Sequence, residues 1–185
     1  IIDLSQNAMQ PMASNEHGTM ILFNGEIYNH RDLRKKLESK NIMFKTSHSD
    51  TELLLLGLSE FGLSFLNEIV GQFAIAFINF KLKKLILIRD RIGQKPLFYS
   101  LGKSKILFSS NLKSILKYED KKRIDIRAIN NYLNFGVVPS PQTLYENIFK
   151  LEPGSYLEID LSRDNIVSKL EKYWVRKDQL ERRIS

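Results

Sequence analysis

The sequence predicts an α+β fold in which an antiparallel meander of strands is covered on both faces. Three observations carry that expectation. The runs FAIAFI and LILI are apolar almost without interruption, as strands buried on both sides are. They are joined by a short basic turn, KLKK, and followed by a second pair, PLFYS and KILFSS, around a turn at Gly102. Strands buried in this way need neighbouring layers, here helices on one face and a second sheet or helices on the other.

Taken in order, Ile1-Ile2-Asp3-Leu4 is strand-like, and TMILFN, ending at Asn24, reads as a second strand. Asn29 can cap a helix from His30 to about Ser39, with Leu33 and Leu37 on one face. NIMFKT reads as a short strand. Ser49, with Glu52 three residues on, has the pattern of a capping box before the helix TELLLLGLSEFG, which Gly62 ends. LSFLNEI reads as a short helix before the meander. Beyond it, LKSILKY is helical after Asn111, and EDKKR is a charged hinge. DIRAINNYLNFG is a helix with Asp125 as N-cap and Gly136 just past its end. LEPGSYLEIDL reads as a hairpin arm.

At 185 residues the chain can bury a real core. Its 28 Lys and Arg against 21 Asp and Glu leave a formal charge of +7. The basic residues are scattered in short groups, as on solvated faces, so no nucleic-acid stripe is expected. The apolar runs fall far short of the roughly 18 residues that span a bilayer, so no membrane association is expected. No cysteine is present, which removes disulfides, thiolate metal sites and a cysteine nucleophile from this stretch. The three histidines show no metal-ligand spacing, and no metal site is expected.

Several short stretches carry more than one reading. Asn24-Gly25 is either a two-residue hairpin tip or a pair of donors, amide side chain and backbone N–H, for a developing oxyanion. Glu26 is either a surface residue or the partner of a ligand ammonium. Asp50, in the first turn of a helix, either complements the helix dipole or faces a pocket and holds an ammonium. Arg89-Asp90-Arg91 reads as a loop anchored by an Arg–Asp pair.

FNGEIYNHRDLRKKL, SDTELLL, GQFAIAFIN, RDRIGQKPLFY and LFSSNLKSI, in that order, resemble the glutaminase domain of glutamine-hydrolysing asparagine synthetases. These are class II glutamine amidotransferases of the N-terminal-nucleophile hydrolase type. The resemblance runs from Ile1 to about Trp174. It implies an αββα sandwich of antiparallel sheets, truncated here at its start. It assigns residues 1–160 to the glutaminase domain and 161–185 to the beginning of a connection to a synthetase domain.

The resemblance also implies a chemistry. An N-terminal Cys thiolate attacks the side-chain carboxamide of L-glutamine, ammonia leaves, and water releases glutamate. The ammonia travels to a synthetase domain of the same chain, where ATP and magnesium activate aspartate; the glutaminase domain itself needs no cofactor. By position, Asn24 and Gly25 match the oxyanion donors. Gly25 and Glu26 match the pocket around the glutamine α-amine, Asp50 its carboxylate partner, and Ile1 and Ile2 the end of a glutamine-binding strand. The nucleophilic Cys and the family's α-carboxylate Arg would stand upstream of Ile1. The expectation is therefore an internal piece of a longer cytoplasmic enzyme, inactive alone, with a homodimer left open. The alternative is a non-catalytic pseudo-amidotransferase that senses glutamine or pairs with a synthetase chain.

Overall fold

The computed structural model describes residues 9–102, 105–120, 122–163 and 165–176. Among these residues, nine strands form two antiparallel sheets. The larger contains β1 (Met12–Ser14), β2 (Thr19–Ile27), β3 (Gly71–Asn79), β4 (Lys84–Arg89), β8 (Ser155–Asp160) and β9 (Val167–Lys172), in that spatial order. The smaller has β5 (Phe98–Leu101) between β6 (Ile106–Ser109) and β7 (Phe149–Lys150).

Both faces of the large sheet are covered, as the runs FAIAFI and LILI require. On one face lie α1 (His30–Glu38) and α2 (Asp50–Phe61), followed by a tight 3-10 segment, Gly62–Asn67. Leu33, Leu37, Leu53, Leu54, Phe65 and Leu66 there meet Ile21, Phe73, Ile75 and Ile88 of the sheet. On the other face Ala74, Ala76, Leu87 and Leu157 meet Leu97, Tyr99 and Leu151 in and beside the small sheet. Helix α3 (Leu112–Tyr118) closes the outer side of the small sheet through buried Ile115. The layers are thus helix, sheet, sheet, helix. A further helix, α4 (Ile126–Phe135), begins at the N-cap Asp125 and stops at Gly136 in the left-handed conformation.

Four local expectations need correction. Asn24-Gly25 is no hairpin tip: both residues lie inside β2, opposite Ala74 and Phe73 of β3. The hairpin signal is overridden because β2 continues to Ile27 in register with β3. NIMFKT forms no strand; the N–H groups of Lys45 and Thr46 go to the Glu52 carboxylate instead (2.7 and 2.8 Å). Ser49 does cap α2, accepting from Glu52 N–H at 3.3 Å, but the return half of the capping box is missing because Glu52 is spent on that loop. Asn29 makes no side-chain cap. Its amide clamps the chain before β3, donating to Glu68 O (2.9 Å) and accepting from Val70 N–H (3.0 Å).

The strand-like reading of Ile1–Leu4 and the binding positions Ile1 and Ile2 lie outside the described residues.

Candidate functional site

The site is organised by the last residues of β2. In an antiparallel ladder a residue directs its N–H and C=O to the same neighbour, and successive residues alternate. Phe73, opposite Gly25, donates its N–H to Asp90 Oδ2 (3.2 Å), and its C=O accepts from Asp90 N–H (2.9 Å). Both of its backbone groups therefore face β4, and the Gly25 N–H points to the opposite edge of β2.

Phe23 and Ile27 share that direction, and both N–H groups find side-chain acceptors. Phe23 N–H donates to Gln10 Oε1 at 2.5 Å, and Ile27 N–H to Asp50 Oδ2 at 3.3 Å. β1 reaches only as far as the pairing of Met12 with Ile21. Among the described residues, then, the Gly25 N–H has no hydrogen-bond partner and stands between two satisfied neighbours. A backbone donor in that position is available to an incoming oxygen.

Gly25 is required there by a close approach. A Cβ on it would lie 2.0 Å from Gln72 O and 2.8 Å from Phe73 Cα. Gly71, across from Ile27, is equally hemmed: its Cβ would lie 2.4 Å from Glu26 O. Backbone atoms cannot step aside as a flexible side chain can. Gly25→Ala is accordingly expected to lower stability by about 2–3 kcal/mol through overpacking. Urea unfolding measures this, and an unchanged midpoint would contradict the close approach.

The Asn24 side chain projects from the face of β2 that looks toward the small sheet. It is exposed, and its Nδ2 donates to Ser110 Oγ at 3.0 Å. Both side chains line a cleft of about 310 Å³ between the sheets. Leu22, Ala74, Ala76, Leu97 and Phe108 make the apolar floor of the cleft, and Gln10, Ser109 and Ser110 stand with Asn24 as its polar groups.

Asp50 reaches the same strand from the other side. Its carboxylate is buried, and it does not line the cleft. Burial raises its pKa above the ordinary carboxylate value; N–H groups of Ile27 and of the α2 N-terminus, with nearby His30, pull in the opposite direction. His30 is itself held by Nδ1–H donating to Ile27 O (3.0 Å). Asn24, Gly25 and Asp50 are thus brought to one stretch of β2, but the Asn24 amide and the Asp50 carboxylate sit on different sides of it. Glu26 is exposed on the Asn24 side.

The Arg89-Asp90-Arg91 loop is anchored, but not by an Arg–Asp hydrogen-bonded pair. Asp90 is fully buried, and its two oxygens accept from the N–H groups of Phe73, Ile92, Gln94 and Lys95 at 2.9 to 3.2 Å. Arg89 donates to the carbonyls of Lys95, Leu151 and Gly93 at 2.6 to 2.9 Å. Arg91 donates to Asn67 O at 3.0 Å. The clasp fixes Phe73 opposite Gly25, so it is part of what shapes the site.

Nothing in the sequence marks Gln10, Ser109 or Ser110 as site residues. Ser109-Ser110-Asn111 reads as an ordinary strand end before a helix. Nothing local tells that the second serine meets a residue 86 positions away.

Comparison with known proteins follows the same lines. A family model for a glutamine amidotransferase domain matches residues 1–174. Asparagine synthetase [glutamine-hydrolyzing] 1 of Bacillus subtilis is 37% identical over 86% of this chain and 25% of its own length. A putative asparagine synthetase [glutamine-hydrolyzing] 2 of Methanocaldococcus jannaschii is 32% identical over 96% of this chain and 35% of its own. The chain thus spans about a quarter to a third of these relatives. Among solved structures, the glutamine phosphoribosylpyrophosphate amidotransferase of B. subtilis superposes with a TM-score of 0.62 at 20% identity, over 94% of this chain and 34% of that one. At that identity the likeness speaks for the fold.

Proposed function

Because the chain belongs to the class II glutamine amidotransferase family, we propose that it forms the glutamine-hydrolysing half of an asparagine-synthetase-type enzyme. The observation that carries this reading is the edge of β2. There the Gly25 N–H, unpaired among the described residues and flanked by two satisfied ones, follows directly on Asn24, whose side chain lines the cleft.

The chemistry is acyl transfer. A thiolate adds to the carboxamide carbon of glutamine and the carbonyl oxygen becomes an oxyanion. The C–N bond then breaks, the nitrogen takes a proton and leaves as ammonia, and water hydrolyses the thioester to glutamate. The residues described here serve the oxyanion and the substrate amine: Asn24 and Gly25 donate to the first, and the edge around Glu26 and Asp50 receives the second. Ile1 and Ile2 belong to the same glutamine-binding reading. The sequence contains no cysteine, so this reading places the nucleophile in polypeptide beyond this stretch. It places there too the synthetase step, with its ATP and magnesium and its amide acceptor, aspartate. A cytoplasmic setting belongs to the same reading, and no helix among the described residues is long and apolar enough to cross a membrane.

The missing cysteine also gives a second reading its footing: a binding module that takes glutamine without hydrolysing it. Glutamine that raises the melting temperature of the full-length polypeptide with no glutamate released would favour that reading.

Asp50 supplies a discriminating experiment. An ammonium is held by the ionised carboxylate, and burial makes that form harder to keep. Affinity for glutamine is therefore full above the raised pKa and lost as pH falls through it, earlier than for an ordinary carboxylate. Asp50→Asn should remove this acid limb and raise KM by about 10–100-fold, the scale of a charge-assisted hydrogen bond, with a smaller effect on kcat. Steady-state kinetics of the full-length enzyme across pH measure both, and an unchanged KM would count against the assignment.

A further inference from the structure

We propose that Ser110 is a positioning residue for the Asn24 amide: its hydroxyl oxygen holds one amide N–H so that the other is presented to the developing oxyanion. This rests on the reading of Asn24 as an oxyanion donor.

The need arises from the soft torsion of an asparagine amide. The terminal χ2 rotation has broad, shallow preferences, and Asn24 is exposed on its strand. Unrestrained, such an amide turns its carbonyl oxygen toward the cleft about as readily as its N–H groups, and a carbonyl there repels an oxyanion. An amide nitrogen carries two N–H donors. In the structure Asn24 Nδ2 donates to Ser110 Oγ at 3.0 Å. That contact occupies one donor and leaves the second N–H of the same nitrogen available.

The anchor itself is fixed. Ser110 sits directly between β6, whose Ser109 pairs with Phe98 of β5, and the N-cap Asn111 of α3. Ser109 Oγ accepts from Asn111 N–H (3.0 Å), and Asn111 Oδ1 accepts from Lys113 N–H (2.9 Å). The residues on either side of Ser110 are therefore tied down, and α3 is pinned by buried Ile115. The hydroxyl stands on the small-sheet wall of the cleft and the amide on the large-sheet wall. The hydrogen bond joins the two walls beside the place where the substrate carbonyl would sit.

A purely structural staple between the sheets predicts a loss of stability. A positioning role predicts a loss of rate that acts through Asn24. The test is a double-mutant cycle in the full-length polypeptide, reading glutamate release from glutamine and the unfolding midpoint. Ser110→Ala is expected to lower kcat by at least about tenfold, within the roughly 10²-fold that a misplaced group can cost, with KM almost unchanged. Ser110→Thr, which keeps the hydroxyl, should restore most of the rate. In the Asn24→Ala background, Ser110→Ala should add almost nothing.

A tenfold loss that persists in that background overturns the proposal while leaving Asn24 in its role. So does an unchanged kcat, or a loss confined to the unfolding midpoint. If Asn24→Ala alone leaves glutamine turnover intact, or if the parent polypeptide releases no glutamate, the oxyanion reading falls and this proposal with it.

Discussion

Asn24→Ala in the full-length enzyme is expected to cut glutamine-dependent turnover by about 10²–10³-fold, the loss on removing one preorganised oxyanion donor. Synthesis supported by free ammonia should continue, because ammonia bypasses the carboxamide. The size of the effect follows from where the charge develops. The ground-state carbonyl is a modest acceptor, whereas the tetrahedral oxygen carries a full negative charge, so a donor fixed in place favours the second far more than the first. KM for glutamine should therefore move much less than kcat. An equal loss with both nitrogen sources would point to a folding defect instead, and an equal loss in KM would make Asn24 a simple binding contact.

Asp90→Ala is expected to have the largest effect on stability. The carboxylate is fully buried and accepts from four backbone N–H groups. Removing it strands those donors, at about 1–3 kcal/mol for each that stays buried and unmet, and leaves a cavity. Partial relaxation keeps the sum below full additivity, so a loss of at least about 4 kcal/mol is expected, enough to unfold much of a marginally stable domain. Asp90→Asn keeps the shape but turns one oxygen into a donor. Each oxygen faces two N–H groups, Phe73 and Lys95 on Oδ2, Ile92 and Gln94 on Oδ1. Either orientation thus opposes donor to donor, and the amide should rescue little. Denaturant unfolding of both variants measures this; a midpoint close to the parent's would show that the loop is held by other contacts.

Much of the architecture was legible because burial leaves a pattern. FAIAFI and LILI announced strands covered on both faces, and the large sheet is buried between helices and a second sheet. Leu33 and Leu37 at helical spacing are buried against the core. Ser49 and Asp125 cap helices as their side-chain chemistry suggests. What failed were readings in which a local signal competed with a tertiary partner. Asn-Gly favours a turn in isolation, but β3 pairs with β2 through Ile27 and the turn never forms. Asn29 gave its amide to the approach to β3 and Glu52 gave its carboxylate to the preceding loop.

The candidate site was legible only in part for a related reason. Gly25 and Asp50 carry signals of their own, a glycine beside an amide and an acid in a helix's first turn. Their meeting depends on which edge of β2 carries the N–H groups, and strand register decides that. Gln10 and Ser110 look ordinary in sequence. They matter because chain separations of 13 and 86 residues close onto adjacent positions of one strand.

On the proposed reading, the edge of β2 at Gly25, unpaired among the described residues, receives the carboxamide oxygen of glutamine. A crystal structure of the full-length polypeptide with glutamine bound tests it most directly. The expected result places that oxygen about 2.7–3.1 Å from both the Gly25 nitrogen and Asn24 Nδ2, with the substrate ammonium toward Asp50. Glutamine seated elsewhere, or bound with its carboxamide turned away from Gly25, would contradict the account.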